Sequence, residues 1–433
     1  MGQHQPHPLT VCVELPFVLV NRIHSFPSAR FLALSGAGLL ASLSGLGAFF
    51  LGSDEHLGER PGSFVSRSGG KLLLEGSEYA FGGANIPYLR YVSASTVDDA
   101  LRSAAAHGFR VVRVFGFVDT GRPDGSGSVD LDREGVRFHY WDGTQPVYND
   151  GPDGLRRLDY VIYRAGRLGL RLIVPFTNNW RWGGGMDQYV QWRQARYHDE
   201  FYSDPTIRHW YKDYVAHLLN RVNTYTGTIY KNDPTILAWQ LANEPQCRGN
   251  GPYPASPNCG PDLIGDWIGE MARHVKQIDP NHLLGTGDWG YYCQEDGTHW
   301  TEDCSFGVDT VRFHEVPEVD FVGFHLYLAE GTSGEWALDW ISRHLRLGRL
   351  LNKPVVMDEF GWNREASRDA AYTDWMRALD EGGGGGHLFW MLGARRPDGQ
   401  PGFDSEYTVY CPSPSCATLS RQAGDISGAV PQP

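Results

Sequence analysis

Eight apolar, strand-like runs recur along the chain with helical patterns between them, and few folds accommodate that alternation. The runs are 79-YAFGGAN-85, 110-RVVRVFG-116, 171-RLIVPFT-177, 236-ILAWQLA-242, 283-LLGTGDW-289, 320-DFVGFHLY-327, 354-PVVMDEF-360 and 386-GHLFWML-392. Helical apolar spacing is clearest at 96–108, 155–169, 207–227 and 262–278. The segment from about 308 to 316 predicts a short helix, and none is predicted between the eighth run and the Pro-rich tail. Strands that alternate with helices pair in parallel, because each helix carries the chain back to start the next strand in the same direction. Eight such units predict an α/β chain closed into a (β/α)8 barrel. No Gly-rich dinucleotide fingerprint or phosphate loop follows an early strand, and the five glycines 382–386 lead into a strand instead. From residue 63 a hairpin precedes the barrel, with Gly69-Gly70 and Glu75-Gly76 as its turns.

The first 53 residues stand apart from this pattern. The run 31-FLALSGAGLLASLSGLGAFFLG-52 is uncharged, follows Arg22 and Arg30, and precedes Asp54 and Glu55. It is long enough to cross a bilayer with its N-terminus inside, as a signal anchor. Its Gly, Ser and Ala content, with Gly45 and Gly47 as small residues ahead of a cut, equally describes a cleaved signal peptide, and a buried helix is a third reading. Anchor and signal both export the remainder, either free or held to the outer face of a membrane through residues 31–52. The expected organisation is therefore a signal or anchor at 1–53, a linker at 54–62, one barrel domain at 63–425 and a flexible tail at 426–433. Cys12 precedes the hydrophobic run; the other six cysteines fall into close pairs, Cys247 with Cys259, Cys293 with Cys304, and Cys411 with Cys416. Six cysteines allow 15 connectivities. Nearest-neighbour pairing is the expectation for short loops in an oxidising compartment, and no C-x2-C or His-flanked spacing supports zinc.

The active end of a closed parallel barrel lies at the carboxyl ends of its strands, so polar residues there are the candidates. Strand two carries Arg113, and strand three is followed by Asn178, Asn179 and Trp180. Strand four ends in Asn243 and Glu244, strand six in His325 and Tyr327, strand seven in Glu359, and strand eight contains Trp390. Hydrolysis of a glycosidic bond needs two carboxyls in opposite protonation states, one to protonate the departing oxygen and one to attack carbon or activate water. Arg113 and Tyr327 are expected to keep Glu359 ionised, leaving Glu244 to retain its proton. Asn243 is expected to meet a sugar hydroxyl. The net charge of −13 without a Lys/Arg cluster argues against a nucleic-acid partner and suits an uncharged polymer. Aromatics for stacking sugar rings are plentiful: Tyr88, Trp180, Trp182, Tyr189, Trp289, Trp300 and Trp362 fall near predicted rim loops, with Trp180, Trp289 and Trp390 the chosen platforms. The histidines, His24 and His56 among them, are scattered, and no metal or other cofactor is expected.

These residues carry a resemblance. The stretch from about 63 to 392 resembles glycoside hydrolase family 5, especially its endo-β-1,4-mannanase branch. The passages that carry it are 200-EFYSDPTIRHWYKDYVAHLLNRVNTYTGTIYKNDPTILAWQLANEP-245, 178-NNWRWGGGMDQYVQW-192, 279-DPNHLL-284, 354-PVVMDEFG-361 and 384-GGGHLFW-390. The resemblance implies a retaining double displacement with Glu244 as acid/base and Glu359 as nucleophile. It also implies that Arg113, Asn243, His325, Tyr327 and Trp390 complete the active-site set, on a chain expected to act as a monomer. Three departures bear on specificity: Phe115 where relatives carry tryptophan, Arg181 and Trp182 where they tend to carry acids, and a long loop at 117–151 that could wall off one end of a cleft. Exo-β-mannosidase or β-1,4-glucanase activity on the same scaffold is the alternative, and a noncatalytic carbohydrate-binding protein the alternative of another class.

Overall fold

The computed structural model describes residues 60–428 apart from 131–134, 295, 329–333, 396–398 and 403–404. The hydrophobic run 31–52, Cys12, His24, His56, most of the linker and the end of the tail lie outside the described residues. Among the described residues no helix is long and apolar enough to cross a membrane.

The eight expected strands are all present, trimmed at their ends: β1 (Phe81–Asn85), β2 (Val111–Arg113), β3 (Arg171–Pro175), β4 (Ile236–Gln240), β5 (Leu283–Gly285), β6 (Val322–Tyr327), β7 (Val355–Gly361) and β8 (Gly386–Phe389). They form one parallel sheet in the order β5-β4-β3-β2-β1-β8-β7-β6. The seam between β5 and β6 is joined by single bonds: the Asp320 amide donates to the Leu284 carbonyl at 2.7 Å, and the His325 amide to the Trp289 carbonyl at 3.2 Å. The chain is therefore a (β/α)8 barrel, as its alternation predicts.

Eight helices follow the strands in turn: α1 (Ala94–Ala106), α2 (Arg156–Arg167), α3 (Pro205–Asn220), α4 (Pro261–Ile278), α5 (Thr310–Glu315), α6 (Gly334–Leu351), α7 (Glu365–Glu381) and α8 (Pro414–Ser427). Asp204 starts α3 by accepting the amides of Thr206 and Ile207 ahead of Pro205, a residue whose missing N–H costs nothing at that position. The expected helix over 207–227 stops at Asn220, and the chain then turns back through the 223–228 loop. Helix α8 corrects the expectation that nothing helical follows the eighth strand, and it runs to Ser427. Its buried positions, Cys416, Thr418, Leu419, Ala423 and Ile426, include mostly small residues, which blurs the apolar spacing.

The hairpin reads Val65–Ser68 against Lys71–Leu74. Its Val65 and Leu72 cluster with Phe81, Val111, Leu283 and Val356, which lie early in their strands. The hairpin thus plugs the amino-terminal end of the barrel and leaves the carboxyl end to the loops. The loop 117–151 holds a small sheet of Asp119–Thr120, His139–Trp141 and Pro146–Tyr148. It is fastened to the loop after β3, since the Asp119 amide donates to the Gly183 carbonyl at 2.7 Å and the Gly183 amide to Asp130 at 2.6 Å.

Candidate active site

At the last position of β2 the Arg113 side chain is fully buried, where an unpaired guanidinium would be costly. Its donors are used accordingly. Nε donates to Gln240 at 2.6 Å, one terminal nitrogen to Asn85 at 3.2 Å and to a Glu359 oxygen, and the other to Asn243 at 2.7 Å. Arg113 thereby ties β1, β2, β4 and β7 together beneath the carboxyl rim.

Glu359, inside β7, also accepts from the Tyr327 hydroxyl at 2.9 Å, and His325 Nδ1 lies 3.6 Å from it. Glu244 begins the loop after β4. Its φ of +53° lies in the left-handed region, strained by roughly 1–3 kcal/mol for a residue with a Cβ. The backbone is held there by its amide, which donates to the Gly287 carbonyl at 2.7 Å. Gly287 is itself at φ +76°, and a Cβ there would strike the Ala242 carbonyl. The Glu244 carboxyl takes the Trp180 indole N–H on one oxygen and meets His325 Nδ1 at 2.6 Å on the other. An oxygen of Glu244, a nitrogen of His325 and an oxygen of Glu359 all lie within 4.8 Å of one another.

Both carboxyls are almost completely buried, and burial raises both above the ordinary carboxylate range. Glu244 is pushed to about 7, opposed only by the Trp180 hydrogen bond and the Arg113 charge. Glu359 is raised as well. His325, Arg113 and the Tyr327 hydrogen bond pull it downward, yet desolvation outweighs them. Burial also lowers the pKa of His325, favouring the neutral imidazole.

Of the remaining candidates, Asn243 bonds to Asn178 at 3.0 Å as well as to Arg113, so its amide is engaged within the chain. Asn178 in turn donates to the Trp182 carbonyl at 3.1 Å. Trp289 packs edge-on to Tyr327 with centroids 5.6 Å apart and lies 5.7 Å from the His325 ring. Trp390, just past β8, lies 6.2 Å from Phe115. Trp180, Trp289 and Trp390 are half-buried around the two carboxyls, whereas Tyr88 and Tyr189 are core residues rather than rim platforms. Trp300 is exposed and Trp362 half-buried at the rim. Trp180, chosen as a stacking face, is also the donor that holds Glu244. Gln240 and Asp358 were not legible as site residues; each sits inside an apolar run, and a polar residue within a fully buried strand is the signal that could have found them.

All three expected disulfides are present, linking Cys247 to Cys259, Cys293 to Cys304 and Cys411 to Cys416.

The chain is similar to known proteins along most of its length. A family model described as GH family 5 beta-mannosidase-like matches residues 62–378. Mannan endo-1,4-beta-mannosidase 7 of Arabidopsis thaliana is 32% identical over 362 residues, 76% of this chain and 78% of that protein. The endo-1,4-beta-mannanase of Rhizomucor miehei superposes with a TM-score of 0.77 at 32% identity, over 84% of this chain and 100% of that one. The endo-beta-1,4-mannanase of Thermotoga petrophila gives a TM-score of 0.73 at 32% identity, over 83% of this chain and 79% of that one.

Proposed function

The chain belongs to glycoside hydrolase family 5, and from that membership we propose that it cleaves internal β-1,4-mannosidic bonds in mannan, glucomannan or galactomannan with retention of configuration. Glu359 is the nucleophile and Glu244 the acid/base. The observation that carries this reading is the pair of carboxyls within 4.8 Å with unlike partners, one on a guanidinium and a phenol, the other on an indole and an imidazole. A separation of roughly 5–5.5 Å suits a nucleophile, whereas activation of an intervening water needs roughly 6.5–9.5 Å.

In the first step a Glu359 oxygen forms a bond to the anomeric carbon while the bond from that carbon to the departing sugar's oxygen breaks. The Glu244 proton goes to that oxygen. In the second step water attacks the same carbon, its proton returns to Glu244, and Glu359 leaves as carboxylate. Arg113 and Tyr327 orient the nucleophile and carry its charge before the first displacement and after the second. Glu244, pushed to about 7, is poised to give and take a proton near neutral pH. Trp289 and Trp390 offer flat faces for sugar rings on either side. The three disulfides support export to an oxidising compartment.

The test is the time course of products from mannohexaose and cellohexaose, with the anomer followed by proton NMR. Internal cleavage of the mannan oligomer, with the β-anomer appearing first, is expected. Release of single mannose units alone would point to the exo alternative, equal attack on cellohexaose would remove the mannan preference, and an initial α-anomer would exclude Glu359 as nucleophile.

A further inference from the structure

Behind the two glutamates lies a third buried carboxyl that the displacement steps do not use. Asp358 precedes Glu359 on β7 and is fully buried, at a point where the pairing register with β6 slips, so that both side chains reach the His325 ring. Its Oδ2 accepts from Gln240 Nε2, whose own Oε1 accepts from Arg113. Among the described residues its Oδ1 has no hydrogen-bond partner, and it lies 3.5 Å from His325 Nε2, which has none there either. Gly323 on β6 leaves room for this carboxyl, since a Cβ there would stand 3.0 Å from Asp358 Oδ2. The His325 ring thus spans two carboxyls, with Nδ1 at 2.6 Å from Glu244 and Nε2 facing Asp358.

With Asp358 ionised, only one arrangement of protons satisfies both ends of a neutral imidazole while leaving the acid protonated. With the proton on Nε2, the ring donates to Asp358, and Nδ1 offers a lone pair to the Glu244 carboxyl proton. With the proton on Nδ1, the ring donates to an ionised Glu244, and two lone pairs confront each other at Nε2 in a water-free interior. We propose that Asp358 is a positioning residue that fixes His325 with its proton on Nε2, so that Nδ1 accepts from Glu244 and keeps that acid protonated between turnovers. The inference rests on the assignment of Glu244 as acid/base.

The other charged and titratable groups facing this relay are Arg113 from β2, Asp288 from the loop after β5, and Tyr327 and Glu359 from β6 and β7. Burial raises Asp358 as it raises Glu244, while the His325 and Arg113 charges and the Gln240 hydrogen bond draw it back toward the carboxylate that accepts from Nε2. An orienting carboxylate behind a histidine acts the same way in hydrolytic triads, where the amide replacement imposes the wrong tautomer. In Asp358→Asn the amide oxygen stays with Gln240 and the NH2 turns to His325 Nε2. The ring proton is then driven to Nδ1, where it stabilises Glu244 as carboxylate.

The experiment compares wild type, Asp358→Asn and Glu244→Ala on mannohexaose and on 2,4-dinitrophenyl β-mannobioside, whose departing phenolate needs no proton. Asp358→Asn should lose at least about tenfold in kcat/KM on mannohexaose, within the range general-acid assistance supplies, and move the alkaline limb of that profile to lower pH. Its pre-steady-state burst on the dinitrophenyl substrate should stay within about twofold of wild type. Equal loss on both substrates, or no loss on either, overturns the proposal. If Glu244→Ala is not likewise spared in the burst, the acid/base assignment fails first, and the two failures are told apart. Should Asp358→Asn not fold, nitrogen-15 NMR of histidine-labelled wild type decides: a protonated Nε2 on His325 supports the tautomer, and a protonated Nδ1 overturns it.

Discussion

Glu244 combines a left-handed backbone, near-complete burial and a carboxyl pushed to about 7, and each has a consequence that can be measured. The kcat/KM profile should fall on its alkaline side with a midpoint near 7, because above it the acid has lost its proton; a profile flat to pH 9 would remove Glu244 from that role. The same shift bears on stability. Raised from 4.5 to about 7 in the fold, the group makes the native state the tighter proton binder. Its stabilising contribution is full below about pH 4.5 and is lost as pH rises through 7. Glu244→Gln, which never ionises, should therefore melt higher than wild type at pH 8, by as much as about 3 kcal/mol, and the difference should vanish at pH 4. Calorimetry at the two pH values checks this, and a pH-independent difference would contradict it. At this scale the candidates were legible because chemistry fixes residue type: a Glu at a strand end stands out. Their supports were not. The Trp180 bond to Glu244 joins residues 64 apart in sequence, and Asp358 is masked by the glutamate beside it.

On helix α2 a different carboxylate shows what holds an element in place. Asp159 is fully buried and accepts from Arg221 at 2.8 Å through both oxygens, from Tyr230 at 2.6 Å and from the Thr224 hydroxyl at 2.9 Å. It therefore fastens the turn between α3 and β4 to the neighbouring helix. Asp159→Ala leaves the Tyr230 phenol without its acceptor and the Arg221 guanidinium with Asp150 alone, at a cost of about 1–3 kcal/mol. Urea unfolding should show the loss as a lower midpoint at unchanged slope, while activity per folded molecule stays near wild type because none of these partners bonds to Glu244 or Glu359. A loss under about 1 kcal/mol would mean that water replaces the carboxylate there. Elements were legible where apolar runs were long. Strands β1 to β8 follow from them, whereas the sheet within 117–151 has strands of two or three residues, too short to show a period. Helix α8 was missed because small residues fill its buried face. The long pattern at 207–227 overran because sequence spacing does not reveal where Asn223 turns the chain, through its side-chain bonds to the amides of Tyr225 and Thr226.

Among the described residues, two of the three covalent cross-links lie in loops at the carboxyl end of the barrel. Cys247–Cys259 lies in the loop after β4, Cys293–Cys304 in the loop after β5, and Cys411–Cys416 at the start of α8 after β8. The opposite end is closed by the hairpin through apolar packing instead. The loops need cross-links for a physical reason: they carry Glu244 and Trp289 on irregular backbone, with no ladder of sheet bonds to restrain them, while the barrel has seven paired strand neighbours. Closing loops of 12 and 11 residues removes about 2–3 kcal/mol each of unfolded-chain entropy, and local opening of those loops is opposed in the same way. Reduction should therefore be felt at the rim before the barrel. With a thiol reductant present, the temperature of half-inactivation on mannan should drop well below the melting temperature followed by far-ultraviolet circular dichroism, and KM should rise before kcat falls, as Trp289 and the 247–259 loop lose their positions. If activity and circular dichroism decline together, the disulfides stabilise the domain as one cooperative unit, and the division into a packed barrel and a cross-linked rim is wrong.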